Sequence, residues 1–324
     1  MNPLLEIQDL KTYFDTRDGT VRAVDGVSLR LREGETLGVV GESGCGKTVL
    51  ALSVMRLVPV PPGRYAGGRI LFQDRDLLSL EERDMRAVRG GEISMIFQEP
   101  MTSLNPVLTV GDQVAEVLRL HRGLSRRETD REVLELFRLV RIPSPRERVD
   151  NYPHQMSGGM RQRVMIAMAL ACRPRLMLAD EPTTALDVTV QAQIIDLIGK
   201  LKEETGTSVM LITHDLGVVA ESADHAAIMY AGQIVEQGKV RGIFARPGHP
   251  YTRGLMASVP RLAAAGEGKG FLPTIAGTVP DLFALPPGCR FQDRCPGAEG
   301  RCLEEDPPLE EREEGHFVRC WREP

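Results

Sequence analysis

The sequence predicts an α/β protein: a mostly parallel sheet with helices between its strands, a helical insertion, and a loop-rich tail. Three observations carry that expectation. Thr36–Val40, Leu176–Ala179 and Val209–Thr213 are short continuous apolar runs, the pattern of strands buried on both faces. Residues from about 100 to 172 show helical signals. After about residue 240 proline accumulates: eleven of the 22 prolines lie in the last 84 residues, too many for long helices or central strands.

Taken in order, Leu4–Ile7 and Val27–Leu31 read as strands, the second ended by the turn residues Glu33-Gly34. Thr36–Val40 follows as a buried strand, and Gly41 opens a glycine-rich turn. Lys47–Leu57 then has helical periodicity. Within the insertion, Ser125 and Glu128 form a capping box. Val133, Leu134, Leu136, Phe137 and Val140 supply an apolar stripe. Leu176–Ala179 and Val209–Thr213 return to the sheet. The reading divides the chain into a core over 1–240 and an extension over 241–324, with no internal repeat.

At 42% hydrophobic and 26% charged the composition is that of an ordinary globular protein. A net charge of −5 gives no electrostatic footprint for nucleic acid. The first residues carry Glu6 and Asp9 within their apolar run and no small-residue cleavage site, so no signal peptide is expected. The longest apolar stretch, Val164–Cys172, is bounded by Arg163 and Arg173 and falls far short of the ~20 residues needed to cross a bilayer. A soluble chain that reaches a membrane only through a partner is the expectation.

Three motifs carry chemistry. Gly41-Glu42-Ser43-Gly44-Cys45-Gly46-Lys47-Thr48 matches G-x-x-x-x-G-K-[ST] between a buried strand and a helix. Glycines let the backbone N–H groups surround phosphates, and the helix N-terminus adds positive potential. Lys47 is expected on the β- and γ-phosphates and the Thr48 hydroxyl on Mg²⁺. Cys45, beside Lys47 at a helix N-terminus, is expected to be a reactive thiolate. Leu176–Glu181 is the second motif: its strand delivers Asp180 to the carboxyl end for Mg²⁺, and Glu181 is the candidate base for the attacking water. Third, Ser157-Gly158-Gly159-Met160-Arg161-Gln162-Arg163 begins a helix with Ser157 as N-cap, exposing a second anion site.

That order of P-loop, Ser-Gly-Gly helix and Asp-Glu strand resembles the ATP-binding cassette (ABC) family, over residues 4–240. Met156 and Met160 stand where its signature usually has Leu and Gln. The resemblance implies an ABC-type P-loop NTPase core with an antiparallel β-subdomain and a helical subdomain. It implies roles for Gln98 as the Q-loop glutamine that senses Mg²⁺, for Ala185-Leu186-Asp187 as the D-loop, and for His214 as the switch histidine on the γ-phosphate. Phe14, with Tyr13 as the alternative, is the candidate to stack on adenine.

Gln155–Arg163, Gln98–Pro106 and His249–Thr252 are similar to the dipeptide and oligopeptide importer branch. That resemblance implies ATP hydrolysis that energises peptide import at the cytoplasmic face of the inner membrane. One P-loop and one signature per chain imply pairing with a second related ATPase or with itself. The implied partners also include two transmembrane permease subunits and, indirectly, an extracytoplasmic peptide-binding protein. Alternatives are a non-transport ABC ATPase acting on ribosome or DNA, and an importer ATPase for another solute such as a nickel chelate.

Cys289, Cys295, Cys302 and Cys320 crowd the last 36 residues. In a reducing compartment they read as metal-binding before disulfides. Their spacing chooses no metal, and His316 is a spare candidate ligand. Similar tails in the family imply a [4Fe–4S] cluster, with Zn²⁺ as the alternative.

Overall fold

The computed structural model describes residues 3–99, 103–184, 186–259 and 274–322. Two compact units account for the chain: Met1–Leu31, Thr36–Leu78 and Thr213–Pro324 form the first, Arg32–Glu35 and Ser79–Ile212 the second.

The first unit opens with β1 (Leu5–Thr16), paired antiparallel with β2 (Gly19–Leu31). Leu5, Ile7, Leu10 and Thr12 are buried. Their alternation slips at Asp9, whose φ is 45°, and the register shifts between Ile7 and Leu10. That bulge is why the period-2 pattern ends at Ile7 although the strand runs on to Thr16. β3 (Thr36–Val40) is buried at every residue, as its apolar run predicts. After α1 (Lys47–Val54), β4 (Gly63–Phe72) and β5 (Arg75–Asp76) complete an antiparallel sheet of order β2-β1-β4-β5.

The second unit contains α2 (Glu82–Val88), β6 (Ile93–Ile96), α3 (Val110–Arg122), α4 (Arg126–Leu139), α5 (Pro145–Arg148) and α6 (Gly158–Leu170). Helices therefore occupy the predicted insertion. The Ser125 N–H donates to the Glu128 carboxylate at 2.9 Å at the start of α4, and Val133, Leu136 and Phe137 form its buried face. β7 (Leu176–Asp180), α7 (Val188–Thr205) and β8 (Ser208–Thr213) follow. β6, β7 and β8 are parallel in the order β8-β7-β6.

The chain then returns to the first unit through α8 (Leu216–Ser222), β9 (His225–Tyr230) and β10 (Gln233–Lys239). β9 runs parallel beside β3 and antiparallel beside β10. Ala231 and Gly232, with φ of 43° and 85°, make the two-residue turn between them, where a tight hairpin needs two positive φ values. A Cβ on Gly232 would lie 2.6 Å from the Arg22 carbonyl oxygen.

α9 (Val240–Ala245), α10 (Pro250–Ala257), α11 (Gly300–Glu304), β11 (Glu310–Glu313) and β12 (His316–Val318) complete the chain. The tail's elements are short, as its proline content predicts. They are also integrated: β12 pairs with β10 and β11 with β12. Phe291 and Tyr251 share one buried cluster with Val40, Ile228 and Tyr230. The described residues of 241–324 thus belong to the same compact unit as β1–β5. Among the described residues no helix is long and apolar enough to cross a membrane.

Candidate functional site

Gly41–Gly46 lies in the first unit, between β3 and α1. Close packing dictates its glycines: a Cβ on Gly41 would lie 2.2 Å from the Met229 carbonyl oxygen, and one on Gly46 would lie 2.0 Å from that of Ala23. Gly46 also has φ 104° and caps α1 without a side-chain hydrogen bond. Lys47 is buried, its Nζ donating to the carbonyls of Gly41 at 2.7 Å and Glu42 at 3.0 Å. Lysine thereby braces the loop from inside, while Ser43, Gly44 and Thr48 remain exposed. The Glu42 carboxylate accepts two hydrogen bonds from Arg294, and the Glu42 N–H donates to the Tyr251 hydroxyl at 2.9 Å.

Cys45 corrects an expectation. Its side chain is fully buried, and burial pushes the thiol up against the opposing pull of Lys47. Desolvation of the thiolate outweighs the nearby ammonium, so the thiol is the favoured form.

In the second unit, β7 is buried at every residue and ends on Asp180. Glu181 follows with φ 45°, an uncommon conformation for a non-glycine residue. Its N–H donates to the Ile212 carbonyl at 2.9 Å. Its Oε2 accepts from Gln98 Nε2 at 3.0 Å and from the Thr184 hydroxyl at 2.8 Å. Gln98 and Glu181, 83 residues apart, are thereby joined.

Ser157 caps α6, its hydroxyl accepting from the Met160 N–H at 3.3 Å. The glycines after it make room for the next segment: Cβ atoms on Gly158 and Gly159 would lie 3.2 Å from Leu186 and 2.9 Å from Val190. Met160 is half-buried and Met156 buried. Asp187 caps α7 by accepting from the Val190 N–H at 3.0 Å, and Gln191 holds the carbonyls of Thr183 and Leu186. Ala185 lies outside the described residues, as do Pro100, Met101 and Thr102.

In the tail, Cys289, Cys295, Cys302 and Cys320 all line one small cavity, with His249 and Phe291 among their neighbours. All four are free thiols. Burial pushes Cys289 up to about 12 and raises Cys320. Among the described residues no three His, Cys, Asp or Glu side chains converge closely enough to hold a metal ion. His316 is otherwise engaged: its Nε2 lies 2.7 Å from Glu236 Oε1, which also accepts from the Gly248 N–H.

Comparison with known proteins agrees with this architecture. A model of the ABC transporter family matches residues 24–184, and one of the oligopeptide/dipeptide transporter C-terminal region matches residues 235–302. A probable peptide ABC transporter ATP-binding protein, y4tR of Sinorhizobium fredii, is 56% identical over 98% of this chain and 95% of its own length. Dipeptide transport ATP-binding protein DppD of Bacillus subtilis is 53% identical over 99% of this chain and 95% of its own. The chain belongs to the ABC transporter family. Among solved structures, the ATP-binding cassette MJ0796, a dimer in a post-hydrolysis state with ADP and Pi, gives a TM-score of 0.66. It is 28% identical and covers 74% of this chain and 99% of its own.

As an ABC chain, its expected site residues fall into both units. The P-loop, Phe14, His214 and the four tail cysteines are in the first; Gln98, Asp180, Glu181, Ser157–Met160 and Asp187 are in the second. His214 is exposed directly after β8, and the next residue, Asp215, caps α8. Phe14 is half-buried. Tyr13 is committed elsewhere, its hydroxyl donating to Asp25 at 2.5 Å. Burial, then that bond, raises Tyr13 to about 12. Motif reading missed Thr184, Tyr251 and Arg294. Thr184 was findable, standing three residues after Glu181. Tyr251 stands out only as part of the His249–Thr252 stretch and not as a contact of the loop, and Arg294 carries no local signal.

Proposed function

We propose that this chain is the ATP-hydrolysing subunit of a membrane importer for dipeptides or oligopeptides. Near full-length identity of 53% to a dipeptide transport ATP-binding protein, tail included, is the observation that carries the reading. An oligopeptide transport ATP-binding protein, OppD of Bacillus subtilis, is 52% identical over 98% of this chain and 88% of its own, and supports it too.

Functionally, residues 1–240 form the nucleotide-binding domain and 241–324 the oligopeptide-transporter-type extension. Gly41–Thr48 holds the phosphates of ATP, Phe14 meets adenine and His214 meets the γ-phosphate. The Thr48 hydroxyl, the Asp180 carboxylate and the Gln98 amide oxygen are hard donors that suit Mg²⁺. When bound, that cation neutralises phosphate charge. Glu181 accepts a proton from the attacking water, oriented for it by Gln98 and Thr184. Ser157–Met160 and Asp187 serve the ATP of a paired cassette, a second related ATPase or a second copy. Two permease subunits anchor the pair at the cytoplasmic face of the inner membrane, and an extracytoplasmic peptide-binding protein acts through them.

The four tail thiols carry the donor chemistry for a [4Fe–4S] cluster, with Zn²⁺ as the alternative, although no three of them converge closely enough in this structure to hold a metal ion. Supporting this are their soft donor chemistry and their shared cavity. Ligation would reverse the cost of burying thiolates there. Iron, sulfide and zinc analysis of anaerobically prepared protein separates the assignments, and protein free of all three would reject both.

Reconstitution with the two permease subunits tests the whole reading. ATP turnover is expected to rise when peptide-loaded binding protein is supplied on the far side. Turnover indifferent to peptide and permease would refute import.

A further inference from the structure

Glu42 is an acidic residue inside a loop that holds phosphate. Left uncompensated, its carboxylate repels the ligand. The group that compensates it lies 252 residues further on: Arg294 Nη1 donates to Oε2 at 2.6 Å and Nη2 to Oε1 at 3.0 Å. This is a bidentate pair, with the Arg294 side chain only 4% exposed. Every other guanidinium donor is used as well. Nε meets the Ala276 carbonyl at 2.9 Å; Nη1 meets the Tyr230 hydroxyl and Nη2 the Ile275 carbonyl, each at 3.4 Å. Five N–H groups have five acceptors, which a lysine ammonium cannot reproduce. The Tyr251 hydroxyl fixes the same loop residue from its backbone side.

We propose that Arg294 is a positioning residue for nucleotide: by neutralising and pinning Glu42 it makes the P-loop receptive to a triphosphate. Two independent features point this way. Geometrically, the fork pins the carboxylate to a guanidinium seated against Tyr230 and Phe291, whose ring centroids lie 5.7 and 5.9 Å from the guanidinium carbon. Electrostatically, the pair replaces a negative charge in the loop by a neutral unit, which favours an incoming polyanion. The proposal rests on reading Gly41–Thr48 as the nucleotide site, and it makes the tail part of that site's affinity.

A charge cycle tests it, with dissociation constants for MgATP and melting temperatures measured on the full chain. Arg294→Met leaves Glu42 unpaired and is expected to weaken MgATP binding about 10-fold or more, with a smaller loss at high salt. Adding Glu42→Gln to that variant removes the repelling charge and is expected to restore most of the affinity. Arg294→Lys keeps the charge without the fork, so it gives a smaller loss with the same rescue. A lower melting temperature with unchanged affinity would overturn the proposal. So would an affinity loss in Arg294→Met that Glu42→Gln does not relieve, because a merely structural brace is not repaired by removing a charge. Wild type that binds no MgATP would sink the nucleotide reading itself, whereas wild-type binding with an indifferent Arg294→Met sinks the proposal alone.

Discussion

Two glutamates, each just past the end of a buried strand, are treated in opposite ways. Glu42 follows β3 and is neutralised by a bidentate guanidinium. Glu181 follows β7 and is held by an amide and a hydroxyl, both neutral donors. A bidentate cation makes a carboxylate a firm structural anchor. An amide and a hydroxyl orient one without themselves supplying an opposing charge. The same side chain is thus a brace in one region and a candidate base in the other. Asp25 falls in the first class. Burial alone would raise it, but the Tyr13 hydroxyl and the Arg290 guanidinium outweigh burial and hold it below its ordinary value.

The largest expected effect would break the comparison if it failed. Glu181→Gln keeps a side chain that can accept from Gln98 and Thr184 but removes the proton acceptor. Single-turnover hydrolysis in the assembled transporter should fall ~10²–10⁴-fold with MgATP binding retained. Near-wild-type hydrolysis, with the paired cassette's equivalent variant dead, would remove Glu181 from the mechanism.

Thr184→Ala sharpens the orienting half of the argument. It deletes one hydrogen bond to a charged group, worth about 1.5–3 kcal/mol, so hydrolysis should drop by roughly 10- to 100-fold while affinity for MgATP stays put. Equal losses in binding and turnover would mean that Thr184 holds the loop rather than the base.

A smaller, pH-dependent effect tests the cation-paired class. Because the folded carboxyl of Asp25 is held below its unfolded value, its contribution is present above that unfolded value, about 3.8. It is lost as pH falls further, through the folded one. Asp25→Asn should therefore flatten the acid limb of the melting-temperature profile and lower stability at neutral pH. An unchanged acid limb would show that the Arg290 pair contributes nothing.

The smallest effect concerns Cys45. Its buried thiol should react with iodoacetamide at neutral pH more slowly than the same cysteine in unfolded protein. Mass-spectrometric mapping of the six cysteines checks this. Preferential labelling of Cys45 in the folded chain would restore the reactive thiolate.

What the sequence by itself determined is local in origin. The short, largely apolar runs Thr36–Val40 and Leu176–Ala179 dictate buried strands, because burial on both faces suits them. The eight residues from Gly41 to Thr48 match the pattern expected of a phosphate loop between a buried strand and a helix. Ser157 and Ser125 announce their helices through caps formed within three residues. Only tertiary structure decided the rest. The bulge at Asp9 hid most of β1 by shifting its period. Glu236 claims His316 across 80 residues, and burial rather than the adjacent lysine governs Cys45. Arg294 reaches Glu42 because the tail folds back into the first unit, and no pattern of neighbouring residues encodes a contact across 252 positions. Periodicity and capping act over one or two turns of chain; charge pairing and desolvation depend on which surfaces meet, and the complete fold alone brings them together.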